Sequence, residues 1–256
     1  MILKDAVCIV TGSAAGIGAA CAGRLASKGA RVAINYTRSE KEAHAVAADC
    51  EAKGGQTVIV KADVSSDKDC RRLAESVLEK WGRIDGLVNN AGTTKFVLHQ
   101  DLDALDAADF QRIFGVNVIG PFQMTRAVAP AMHRQGHGAI VNVSSIAGIM
   151  GMGSSIAYAA SKGALNTMTL SLARALGPAI RVNAVCPGFV ETRWLTEGLG
   201  PAFESKKKNY ESITPLQATV LPEDVADAVV WLLEGAAKVT GELITVDSGV
   251  HLGNAR

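Results

Sequence analysis

Tyr158 and Lys162 stand four residues apart at the end of the stretch SSIAGIMGMGSSIAYAASK, which runs from Ser144 to Lys162. On a helix that spacing brings both side chains to one face, so an ammonium can lie beside a phenol oxygen or beside whatever the phenol touches. A free phenol keeps its proton up to a pKa of about 10, and a neighbouring positive charge stabilises the phenolate. The pair can therefore act as general acid or base on an alcohol or carbonyl oxygen. A plain surface pair would show the same spacing, so the reading needs support from elsewhere in the chain.

That support starts near the amino terminus. Ala6 to Val10 reads as a strand buried on both faces and runs directly into TGSAAGIG. Gly12, Gly16 and Gly18 then open an Ala-rich helix that ends near Lys28 and Gly29. Strand, glycine turn and helix start in that order form a phosphate cradle, because glycines let the backbone approach and the free N–H groups face the anion. The spacing G-x-x-x-G-x-G departs from the commoner G-x-G-x-x-G. A tight turn alone would also use these glycines, but the position after the first strand points to a dinucleotide.

The second strand, Arg31 to Asn35, lacks the terminal acid that would hold the adenine ribose hydroxyls of NAD. Arg38, with Thr37, could instead accommodate a 2′-phosphate, which favours NADP(H) and leaves NAD(H) possible; a solvent-exposed Arg38 at a helix start is the plainer alternative. Thr57 to Lys61 is the third strand, leading to Asp63 and Val64 and then to a helix from about Ser66 to Trp81. Leu87 to Asn89, the fourth, delivers Asn90, Ala91 and Gly92 at its carboxyl end, the edge where open parallel sheets bind ligands.

A long helix is expected from Asp106 to about Arg134, bent near Gly120-Pro121 and carrying Asn117 between Val116 and Val118. A buried amide there must satisfy backbone groups or organise water. The fifth strand, Ala139 to Val143, ends at Ser144 and Ser145, and the Tyr158 helix continues to about Leu176. The sixth, Arg181 to Val185, ends at Cys186-Pro187-Gly188. Residues 189–220 break the rhythm with Phe189, Trp194, Leu195, Phe203 and Tyr210, as a mobile lid over an apolar pocket would. Its Lys206-Lys207-Lys208 run reads as a solvated helix face. Pro222 opens a helix through Leu233, and Leu243 to Val246 is a seventh strand.

Alternating strands and helices imply a single-domain α/β fold, a doubly wound parallel sheet over residues 1–256. With 26 Lys and Arg against 25 Asp and Glu, no overall field draws nucleic acid or an anionic membrane. The five cysteines form no C-x-x-C pair and read as reduced thiols, and no leader or bilayer-spanning run is seen, so a cytoplasmic protein is expected. The His residues show no ligand spacing, and no metal is expected.

Taken together, TGSAAGIG, Asn90-Ala91-Gly92, Asn117, Ser145, Tyr158, Lys162 and Pro187-Gly188 make the chain resemble the short-chain dehydrogenase/reductase family from end to end. The resemblance implies a Rossmann-type sheet of seven strands flanked by helices. It implies that Gly12, Gly16 and Gly18 shape a pyrophosphate loop, with Ser13 and Ile17 touching the cofactor. Asp63 and Val64 would flank the adenine, Asn90, Ala91 and Gly92 the ribose and nicotinamide path, and Pro187, Gly188, Val190 and Thr192 the carboxamide. Ser145, thirteen residues before Tyr158, matches the catalytic serine.

In the implied mechanism Tyr158 protonates the substrate oxygen, Ser145 positions it, and Lys162 holds the nicotinamide ribose and, together with the positive ring of the oxidised cofactor, lowers the phenol's pKa. Asn117 holds a water that relays protons through Lys162. The pattern looks most like 3-oxoacyl-(acyl-carrier-protein) reductases, with a small-molecule or acyl-thioester substrate and a homotetramer or homodimer. Against this, Arg134-Gln135-Gly136-His137 and Gly177-Pro178-Ala179 are thin in the positive charge that carrier-protein docking uses. A reductase of a small ketone, sugar or polyol therefore stays open, as does a non-catalytic dinucleotide sensor.

Overall fold

Residues 1–253 are described in a computed structural model. Seven strands form one parallel sheet: β1 (Val7–Val10), β2 (Arg31–Tyr36), β3 (Gln56–Lys61), β4 (Gly86–Asn89), β5 (Gly138–Val143), β6 (Ile180–Pro187) and β7 (Leu243–Val246). Their order is β3-β2-β1-β4-β5-β6-β7. The direction of winding therefore reverses between β1 and β4, and a crevice opens there beyond the carboxyl ends of the strands.

Alternation along each strand divides the core in two. Cys8 and Val10 of β1 join Val32 and Ile34 of β2 in a layer under α1 (Gly16–Ser27), α2 (Glu40–Ala52) and α10 (Pro222–Glu234). Val7, Ile9 and Ala33 face the other way, against α3 (Asp67–Trp81), α5 (Gly120–Gln135) and α7 (Ile156–Leu176). Because side chains alternate along a strand and helices cover both faces, nearly continuous apolar runs are needed, and β1 and β4 are buried at every position.

The remaining helices are α4 (Ala107–Phe114), α6 (Ala147–Met150), α8 (Arg193–Leu199) and α9 (Phe203–Ile213). The long helix expected over 106–134, with its interruption near Gly120-Pro121, is interrupted just before that pair. Between α4 and α5, residues Gly115–Ile119 form a widened π turn around Asn117, and Gly120-Pro121 simply starts the next regular helix. Gly120 is needed there for closeness: a Cβ would lie 2.8 Å from Val64 Cγ2.

At the amino ends of the strands, opposite the crevice, Asp85 is a buried hub. Its Oδ2 accepts from the Val7 N–H at 2.8 Å and from Arg83 Nε at 2.9 Å, while Oδ1 accepts from Arg83 at 2.6 Å and lies 3.0 Å from His137 Nε2. Burial would raise this carboxyl, but Arg83, the Val7 N–H and His137 together hold it below the usual carboxylate range. A depressed pKa contributes stability above the unfolded carboxylate value near 4, and the contribution is lost as pH falls through the folded value. Asp85→Asn should therefore lower stability by about 2 kcal/mol at neutral pH. Thermal melts should show a difference from wild type that closes below pH ~4.

Candidate active site

The strand ends at the crevice are joined by polar side chains whose partners are all internal. Thr11, just after β1, accepts at Oγ1 from the N–H groups of Asn90 and Ala91, both at 3.0 Å. The Asn90 amide returns the contact, donating to the carbonyls of Thr11 at 2.9 Å and Gly12 at 3.0 Å. Asn35, at the end of β2, accepts from the Gly12 N–H at 3.0 Å and donates to the carbonyls of Val60 and Ala62. These bonds tie β1 to its neighbours on both sides and set the glycine turn.

Within that turn Gly12 and Gly16 have φ of +61° and +54°, and a Cβ on Gly12 would lie 3.0 Å from Ala91 Cα. Only glycine adopts such a backbone freely. The first turn of α1 holds no acidic residue and its N-cap, Ala15, makes no side-chain cap bond, so its N–H groups are left for an anion. Thr192 faces the turn, its methyl 3.4 Å from where a Gly16 Cβ would be. These features fit a dinucleotide pyrophosphate. Ser13, expected to touch the cofactor, has its side chain turned inward: its Oγ donates to Val10 O and accepts from the Asn35 N–H, and the residue is fully buried. It braces the turn.

Ile17 is half-buried in α1. Thr37 and Arg38 are exposed beyond β2. Asp63 accepts from the N–H and hydroxyl of Ser65, and buried Val64 receives the Gln123 amide on its carbonyl. Across the crevice, Pro187 accepts from the Ile146 N–H, Gly188 leaves a hollow filled by the Tyr210 hydroxyl, and Val190 pairs with Val220. Thr192 caps α8 through Oγ1, which accepts from the Leu195 N–H at 3.3 Å.

Tyr158 lies in the first turn of α7, which Ser155 caps by accepting the Tyr158 N–H at 3.3 Å. Lys162, one turn on, is 4% exposed. Its ammonium donates to Val143 O at 2.8 Å and lies 5.6 Å from the centre of the Tyr158 ring. Ser145 follows β5 and accepts at Oγ from the Ala147 N–H. Its position relative to Lys162 is set by α6, which crosses α7 backbone on backbone, Gly148 against the Lys162–Gly163 peptide, with no room for a Cβ. Beneath, Asn89, Asn142 and Thr169 form a buried hydrogen-bonded chain from β4 through β5 to α7. Ser144 is structural, donating to Lys162 O and Asn166 Oδ1.

Asn117 is buried in the π turn. Both amide hydrogens are engaged, on Thr93 O at 2.9 Å and Ser161 Oγ at 3.0 Å, while Oδ1 accepts from the Thr93 N–H at 2.8 Å. The side chain has both donors in use, and Oδ1 keeps a second lone pair that a water can meet. It fixes the loop after Gly92, whose Cβ position falls between Asn117 Oδ1 and Lys162 Nζ, 3.6 and 3.9 Å away.

Burial pushes the Tyr158 phenol up to about 12, opposed by the Ser145 hydroxyl. The phenol is thus a proton donor at neutral pH. Burial brings Lys162 down to about 8, with Cys186 resisting, and takes the Cys186 thiol up to about 11. Among the described residues, no cluster of His, Cys, Asp and Glu is placed to hold a metal ion, and no helix is long and apolar enough to cross a membrane.

Sequence reasoning missed Thr11, Asn35, Asn142 and Ser161, whose hydrogen bonds join parts of the chain far apart in sequence. It also missed Phe96, which packs on Trp194 with ring centres 5.3 Å apart; Trp194 in turn lies 6.2 Å from Tyr158.

The family profile described as enoyl-(acyl carrier protein) reductase matches residues 12–251. A Streptomyces violaceoruber protein assigned as ketoacyl reductase 2 of the granaticin polyketide synthase is 45% identical over 96% of this chain and 96% of its own. A 3-oxoacyl-[acyl-carrier-protein] reductase of Synechocystis sp. is 37% identical, covering 97% and 98%. Among solved structures, a short-chain dehydrogenase/reductase from Burkholderia xenovorans superposes with a TM-score of 0.91 at 43% identity, covering 97% and 99%.

Lys162 has a folded pKa below its free value of 10.5, so the fold disfavours the charged form. The penalty is full below pH ~8 and fades as pH rises toward the free value. Lys162→Met should therefore stabilise the protein by about 2 kcal/mol at pH 7, after the lost bond to Val143 is allowed for. Calorimetric melts across pH 7 to 10.5 should show that gain shrinking as the amine of the wild type discharges.

Proposed function

This chain belongs to the short-chain dehydrogenase/reductase family, and we propose that within it the protein is an NADPH-dependent reductase of 3-oxoacyl thioesters. It is an oxidoreductase that interconverts a carbonyl and a secondary alcohol with a nicotinamide dinucleotide. The observation that carries the proposal is the meeting of Ser145, Tyr158 and Lys162 at the carboxyl edge of the sheet, beside the glycine turn.

The glycine turn and the start of α1 would hold the pyrophosphate, and Gly92, Pro187, Gly188 and Thr192 the nicotinamide half. The chemistry supplied by a bound reduced nicotinamide is a hydride delivered to the carbonyl carbon. The protein supplies the rest. Ser145 donates a hydrogen bond to the carbonyl oxygen and so favours the charge that develops there. Tyr158 then gives that oxygen its proton, for which a phenol held protonated by burial is suited. Lys162, anchored on Val143 O, sets the electrostatics below the ring and favours return of a proton from solvent once the phenolate has formed.

NADPH is favoured by Thr37 and Arg38, exposed where β2 ends, and by Asn35, which turns inward to Gly12 and leaves no acid to repel a 2′-phosphate. Segment 189–220 acts as the lid. Five buried free cysteines suit a reducing cytoplasm. Exposed Phe110, Ile119 and Phe122 on the α4–α5 face suit a homotetramer or homodimer.

Tyr158→Phe should lower kcat at least about a hundredfold against a 3-oxoacyl thioester while NADPH still binds, as followed by nicotinamide absorbance and calorimetric titration. A non-catalytic sensor would oxidise no NADPH with any carbonyl, and the substitution would change nothing. Arg38→Asp should raise KM for NADPH roughly ten- to hundredfold and leave KM for NADH nearly unchanged. Wild-type preference for NADH would overturn the NADPH assignment.

A further inference from the structure

Three segments meet on the solvent side of the catalytic phenol, and what they present is aromatic. Trp194 of α8 lies with its ring centre 6.2 Å from that of Tyr158, tilted by 44°, and Phe96 follows at 5.3 Å, tilted by 54°. The arrangement is built rather than incidental. Gly198, one turn after Trp194, has the Phe96 ring where its own Cβ would be, so only glycine lets α8 seat against the loop. That loop is fastened to the stretch before Tyr158 by the Val97 N–H donating to Ser154 O and by the Thr94 and Ser154 hydroxyls, both at 2.8 Å. Trp194 is nonetheless 44% exposed, and the stretch shortly after Ser145 carries exposed Ile149 and Met150 in α6 and exposed Met152 beyond it.

Cations near this wall are already matched. Lys95 pairs with Asp109 at 2.6 Å and Lys207 with Glu191 at 2.7 Å. Arg112 donates to Thr93 and Asp109, and Arg193 lies between Glu42 and Glu197. No free guanidinium or ammonium in this set waits for a substrate carboxylate or phosphate.

We infer that the site selects uncharged ketones whose carbonyl is carried on, or next to, a flat ring, which lies against Trp194 and Phe96 while Tyr158 reaches the oxygen. The inference rests on the proposed reductase activity and narrows its substrate: the acyl part of the thioester carries a ring system rather than a plain chain. A rigid ring gains both edge and face contact with tilted aromatics and loses no chain freedom on binding, whereas a flexible chain must be ordered along a wall it touches only by its edges.

The test uses the full-length protein and compares 2-tetralone with 2-decanone, ketones of equal carbon count, alongside a 3-oxoacyl thioester of N-acetylcysteamine. Wild type should favour 2-tetralone in kcat/KM by about tenfold, and Trp194→Ala should collapse that ratio, with Trp194→Phe restoring most of it. Calorimetric titration with 2-naphthol, which needs no turnover, should show binding about tenfold weaker in Trp194→Ala and in Phe96→Ala. A wild type that reduces the thioester or 2-decanone but not 2-tetralone, or a ratio unmoved by Trp194→Ala, overturns ring selection and leaves the reductase reading standing. Failure to oxidise NADPH with all three compounds overturns both.

Discussion

A positive charge held out of water is the constraint on which the reactive edge depends. Lys162 is a buried amine with one recorded protein partner for its ammonium, the carbonyl of Val143. That carbonyl is available because Val143 ends β5 and the chain then turns away toward Ser145, so the strand end serves as anchor and the residues after it as tools. The amine in turn needs α7 at a fixed height over the sheet. The small contact of Gly148 on the Lys162–Gly163 peptide and the buried run Asn89–Asn142–Thr169 provide this. An apolar residue at 162 would be easier to bury, so the site is held against the preference of its own core.

Much of this was legible in the sequence, because local pattern and global fold agree. All seven strands were placed to within two residues, since buried parallel strands read as unbroken apolar runs between turn signals. The helix pair at Tyr158 and Lys162 and the glycine turn are legible from spacing together with their place after a strand and among the other motifs. What was not legible was where polar side chains go once buried. The internal partners of Ser13 and Asn117 are backbone groups brought near from elsewhere, Asn35 in one case and Thr93 in the other, and no local pattern announces them. Gly120-Pro121 signals an interruption of the long helix, whereas the π turn directly before it carries no such signature.

The two rims of the sheet divide the labour. At the amino ends, Asp85 gathers Arg83, His137 and the Val7 N–H into a hub that contributes to stability. This also commits the His137 ring, which follows α5, to an internal carboxylate. At the carboxyl ends, polar side chains hold backbone turns in place around the Tyr158 phenol, the Ser145 hydroxyl and the Lys162 amine.

The segment after β6 is closed on itself. Val190 pairs with Val220, and Glu191 reaches both the Lys207 ammonium and the Thr219 hydroxyl. Entry and exit thus lie side by side on the frame, with the 29 residues 191–219, α8, α9 and their connections, held between them. A loop whose ends already touch can be lengthened, shortened or replaced with little entropic penalty to the rest of the molecule. This part of the chain is therefore a self-closed excursion, whose length and sequence can change while the sheet and the strand ends that carry Ser145 and anchor Lys162 stay where they are.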